Sequence, residues 1–99
     1  MRCALSYSRV FIEEKAEKGL RKLPRHILVI FEEWVRLIEE QGYAEMKKVP
    51  GYRDHNLKGK LIGKRSSSLN KSYRVIYHLE DEEIIIVKVI EVNKHDYKI

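Results

Sequence analysis

The chain has 99 residues, of which 43% are hydrophobic and 35% charged; this suits one domain with its own core and leaves no room for two. It is too apolar and too mixed in sign to be disordered, and no apolar run approaches the ~20 residues of a membrane span. The net charge of +5 is unevenly placed. Residues 8–42 carry seven basic and seven acidic side chains, residues 43–79 nine and two, and residues 80–99 three and six. Such segregation favours a polyanionic partner over a surface charged merely for solubility.

Cys3 is the only cysteine. It excludes an intramolecular disulfide, fits a reducing compartment and reads as a small core residue. The stretch from Met1 to Tyr7 is too short for a signal peptide. A cytoplasmic protein with no membrane partner is expected.

Leu5 and Tyr7 alternate with small or polar residues, which predicts a strand over 2–7. Ser8 reads as the N-cap of a first helix carrying Val10, Phe11, Ile12, Ala16 and Leu20, weakened near its end by Gly19. Pro24 suits the first turn of a second helix. Its apolar face is Ile27, Ile30, Phe31, Trp34, Leu37 and Ile38, and Gly42 is its stop. Residues 43–63 hold Pro50, Gly51, Gly59 and Gly63 and predict a long loop with one helical turn near 45–48. Three strands follow, at about 64–70, 72–79 and 83–92. The nearly continuous apolar run from Ile84 to Ile90 predicts a central strand. The expected fold is α+β in the order β-α-α-β-β-β, a helical hairpin packed on a mainly antiparallel four-stranded sheet.

The four histidines, at 26, 55, 78 and 95, lack metal-ligand spacing, and no cofactor is expected. Ser66-Ser67-Ser68 is not a nucleophile elbow, and Gly59 and Gly63 are not followed by a phosphate-binding Lys-Ser/Thr pair. A metal-free ribonuclease makes other demands. It needs a base for the ribose 2′-hydroxyl, an acid for the leaving 5′-oxygen, and a cation for the phosphate. Histidine suits the first two roles at neutral pH, and arginine suits the third. His55, His95, Tyr97 and Arg74 lie in or beside the basic stretch. His78 shares a strand face with Arg74, but four residues at ~3.3 Å each set it too far away to reach the same phosphate.

The run Leu57-Lys58-Gly59-Lys60-Leu61-Ile62-Gly63-Lys64-Arg65-Ser66-Ser67-Ser68-Leu69-Asn70-Lys71-Ser72-Tyr73-Arg74-Val75-Ile76-Tyr77 resembles the RelE/ParE toxin superfamily. It looks most like the RelE/HigB-type messenger-RNA interferases of type II toxin–antitoxin systems. His95-Asp96-Tyr97 is similar to the basic-aromatic end of those toxins, and the likeness covers about residues 50–97. The resemblance implies a toxin that cuts messenger RNA in the ribosomal A site and is neutralised by a cognate antitoxin. It places Arg74 on the scissile phosphate and gives His55, His95 and Tyr97 catalytic positions. Lys58, Lys60, Lys64, Arg65, Lys71 and Lys94 become RNA-backbone contacts. Ser66 and Ser68 depart from the pattern, because many relatives carry a basic residue there. Serine serves as neither base nor cation, so those roles shift to His55, His95 or nearby lysines. The rival reading is a ParE-like toxin that binds DNA gyrase and cuts nothing.

Overall fold

One mixed sheet organises the chain in the computed structural model, which describes residues 8–80 and 85–94. The elements run β1 (Ser8–Ile12), α1 (Glu14–Arg21), α2 (Arg25–Gln41), α3 (Tyr43–Lys47), β2 (His55–Asn56), β3 (Arg65–Ser68), β4 (Tyr73–Glu80) and β5 (Ile85–Lys94). The sheet order is β1-β5-β4-β3-β2. β1 pairs parallel with β5, and every other pair is antiparallel. The α+β class and the helical hairpin on a mainly antiparallel sheet hold. The sheet has five strands, not four. The additional strand, β2, is two residues long, too short for any periodicity to announce.

The start of the chain needs correcting. The strand expected over 2–7 lies outside the described residues. Ser8 does not cap a helix. It opens β1, and its Oγ accepts the Tyr43 backbone N–H at 3.0 Å. Val10, Phe11 and Ile12 are β-branched or aromatic and suit a pleated surface better than a helix. α1 begins only after the Glu13 N–H has bonded the Val89 carbonyl at 2.9 Å. Glu14 and Glu17 lie in its first turn and Lys18 and Arg21 in its last, matching the helix dipole.

α2 is the helix its spacing predicts. Ile27, Phe31, Trp34 and Ile38 are buried, at steps of four, three and four residues. Each such side chain contributes roughly 1.5–3 kcal/mol on burial. Trp34 stacks on Phe31 at 5.8 Å and meets Tyr77 edge-on at 5.5 Å. Gly42 ends the helix at φ 104°, a conformation that favours glycine. No described helix is long and apolar enough to cross a membrane.

β5 lies between β1 and β4, as its apolar run predicts. Its pairing with β4 shifts between Glu91 opposite Ile76 and Val89 opposite Tyr77. Ile90 is therefore an extra residue, a β-bulge. Strand side chains alternate faces, so an unbroken strand would point Val92 away from Val87 and Val89. The bulge restores the parity, and all three valines join one buried core.

Candidate active site

β3 sorts its side chains to two faces. Ser66 pairs with His55 on β2, and Ser68 pairs with Arg74 on β4. Residues directly opposite on paired strands share a face, so His55, Ser66, Ser68 and Arg74 lie together. They line a cleft of about 760 Å³ with Gly51, Arg53, Asn70, Lys71 and Tyr73. Among the described residues no carboxylate lines it, whereas Arg53, Lys71 and Arg74 do. Two strand spacings and two residues along β3 put the His55 and Arg74 Cα atoms about 12 Å apart.

Two details define the chemistry of the cleft. His55 Nδ1 lies 2.7 Å from the Arg53 carbonyl oxygen. A carbonyl carries no proton, so Nδ1 donates, and the neutral ring keeps its lone pair on Nε2. Arg74 Nε is buried and has no hydrogen-bond partner among the described residues. An unmade bond of this kind costs roughly 1–3 kcal/mol.

The other face of β3 carries Arg65 and Ser67, and both turn to Asp54. Arg65 Nε donates to Asp54 Oδ1 at 2.8 Å, and Nη2 bonds the same oxygen. Ser67 Oγ donates to Oδ2 at 2.6 Å, and the Tyr77 hydroxyl also donates there. With its proton committed to Asp54, Tyr77 accepts from the Tyr43 hydroxyl at 2.9 Å and from Arg65 Nε at 3.2 Å. Arg65 Nη1 reaches Asn56 Oδ1 at 2.6 Å. The Asp54 side chain is 1% exposed and that of Arg65 17%. Burial pushes the Tyr77 hydroxyl far above its ordinary range, and the bonds to Asp54 and Tyr43 push it further. Burial also raises Tyr43, against the pull of its bond to Tyr77. For Arg65, burial acts downward, but the bonds to Asp54 and Tyr77 and the charge of Asp54 outweigh it and hold the guanidinium protonated.

Of the residues singled out from sequence, the cleft brings together His55, Arg74 and Lys71. Lys58 and Lys60 are exposed and Lys64 half-buried, around a 3₁₀ turn at Gly59–Leu61 outside the cleft lining. Arg65 is turned inward onto Asp54. Lys94 ends β5 opposite Tyr73. His95 and Tyr97 lie outside the described residues. His78 pairs with Glu80 at 3.4 Å. Of the three aromatic residues read as core, Tyr77 and Trp34 are fully buried, whereas Tyr73 lines the cleft.

Arg53, Asp54 and Ser67 were not legible as site residues. A lone Asp inside a basic loop carries no pattern that reveals a buried anchor. α1 hides a further feature. Its acidic Glu14 and Glu17 fall on one stripe, while Lys15, Lys18 and Lys22 face a second groove of about 450 Å³ that shares Tyr73 with the cleft. Glu91 lines that groove too and pairs with Lys15 at 3.8 Å. Charge counted along the chain averages this sorting away.

Neither a family model nor a curated protein matches the sequence. Solved structures do. The RelBE2 toxin–antitoxin complex of Mycobacterium tuberculosis contains a chain 24% identical, with TM-score 0.66, over 92% of this chain and 100% of that one. The archaeal RelE–RelB complex of Pyrococcus horikoshii matches at 22% identity and TM-score 0.70, over 95% and 100%. YafQ of Escherichia coli matches at 13% identity and TM-score 0.70, over 88% and 92%. With the helices on one face of the five-stranded sheet and agreement over most of each chain, this protein has the RelE-like toxin fold.

Proposed function

We propose that the protein is the toxin of a type II toxin–antitoxin system and an endoribonuclease that cuts messenger RNA in the ribosomal A site. The observation that carries the reading is His55. Among the described residues its cleft is lined by Arg53, Lys71 and Arg74 and by no carboxylate, and its Nδ1 is already spent on the Arg53 carbonyl. His55 Nε2 takes the proton of a ribose 2′-hydroxyl. The 2′-oxygen attacks the adjacent phosphorus, the bond to the 5′-oxygen breaks, and a 2′,3′-cyclic phosphate remains. Arg74 and Arg53 hold the phosphate oxygens. His95 or Tyr97 returns a proton to the leaving 5′-oxygen. These steps need proton transfer and fixed cations, and no metal. Support for a protein partner comes from similar chains solved in toxin–antitoxin complexes; the partner here is a cognate antitoxin.

The test is induction in bacteria with mapping of messenger-RNA ends. Cut transcripts with 5′-hydroxyl ends are expected. His55→Ala should lower cleavage by roughly 10²–10⁴-fold, the usual worth of a positioned proton-transfer group. Growth arrest with intact transcripts would overturn the nuclease reading and favour a gyrase-binding toxin.

A further inference from the structure

Arg53 is the only non-glycine residue with a positive φ among the described residues, at 48°. A left-handed arginine costs roughly 1–2 kcal/mol and persists only where its surroundings over-determine it. It is followed at once by Asp54, whose buried carboxylate is held by Arg65, Ser67 and Tyr77. The next residue, His55, donates from Nδ1 to the Arg53 carbonyl. Anchor, strained backbone and imidazole are thus consecutive in the chain.

We propose that Asp54 is a positioning residue: by locking the left-handed Arg53 backbone, it aims the Arg53 carbonyl at His55 Nδ1 and so selects the tautomer that leaves Nε2 free in the cleft. Neutral histidine in water favours the opposite tautomer, with the proton on Nε2. A local bond to the other nitrogen is what reverses that preference. The carboxylate itself touches no cleft ligand, since it faces the far side of β3. Its influence on the cleft runs through two peptide units.

The proposal rests on His55 being the proton acceptor, but its test does not require RNA. Imidazole 15N–1H correlation spectra of the full chain report the tautomer of His55 directly. The unaltered protein should show a proton on Nδ1 and a pyridine-like Nε2. Asp54→Asn, which keeps the shape and removes the charge, should move the majority to Nε2–H. Ser67→Ala removes one of the bonds to Asp54 and should give a mixture; it carries the test if Asp54→Asn does not fold. An Nδ1–H signal unchanged in every variant that folds would overturn the proposal. On ribosome-bound messenger RNA, the same variants should lose kcat by about tenfold or more with KM nearly constant, as expected for a misplaced proton acceptor. A tautomer shift in a protein that cuts no RNA would sink the nuclease reading and leave the positioning role standing.

Discussion

Gly19 on α1 lies so close to Val92 on β5 that a Cβ built on it would sit 2.3 Å from the Val92 carbonyl oxygen. This glycine is one of the points at which the first helix seats on the sheet, beside the buried Ala16. Alanine ordinarily gains about 1 kcal/mol over glycine inside a helix. Here the clash is with backbone, which has no rotamer to give. Gly19→Ala should destabilise by about 1–3 kcal/mol, the usual cost of overpacking. A lower denaturant midpoint with an unchanged m-value would bear this out, and a stabilised variant would contradict it.

Arg65→Met should cost about 3–5 kcal/mol, because it leaves the Asp54 carboxylate buried and uncompensated. Lys60→Met, at an exposed site, should stay within about 0.5 kcal/mol. Both are basic residues of one stretch. Equal effects in urea unfolding would refute the inward assignment of Arg65.

Tyr77 and Tyr43 are held above the ordinary tyrosine range, chiefly by burial. In the unfolded chain each releases its proton near pH 10. Above that pH the native state binds more protons than the unfolded state, so stability falls as pH rises. The stability they contribute is complete below pH 10. For Tyr77, the fully buried one, the limiting slope is about 1.4 kcal/mol per pH unit. Unfolding midpoints measured from pH 8 to 11 should be flat to about 10 and then drop. Tyr77→Phe should be less stable at pH 8 and show a shallower drop.

Among the described residues, three cations line the cleft: Arg53, Lys71 and Arg74. If each meets one phosphate of a single strand, log affinity should fall with log salt at a slope of about −2. Lys71→Gln should reduce the slope by about 0.7. A much steeper slope would mean that Lys58, Lys60 and Lys64, outside the cleft, also contact the strand, and a flat response would remove the phosphate contacts altogether.

Periodicity carried α2, while turn breaks and the nearly continuous apolar run from Ile84 to Ile90 carried the three C-terminal strands. Residues Ser8–Ile12, read as the start of the first helix, form β1 instead. Val10, Phe11 and Ile12 are consecutive, so they fit a helix turn as readily as a strand, and only pairing with β5 decides between them. The cleft was half legible. His55, Lys71 and Arg74 announced themselves through residue type and motif. Arg65 looked like its basic neighbours because strand parity sends it the other way, and parity depends on a register that no local pattern reveals. Asp54 stayed invisible for the same reason, its partners lying 11 to 23 residues further along.

The extra residue at Ile90 gives β5 something like a reading frame. Val87 and Val89 are in phase with the helices before it, and Val92 is in phase after it because the bulge absorbs Ile90 without a partner on β4. Deleting Ile90 would leave Val89, Glu91 and Val92 in plain alternation opposite Tyr77, Ile76 and Val75. The strand can thus lose a residue here and keep both faces, giving up only the local twist that a bulge supplies.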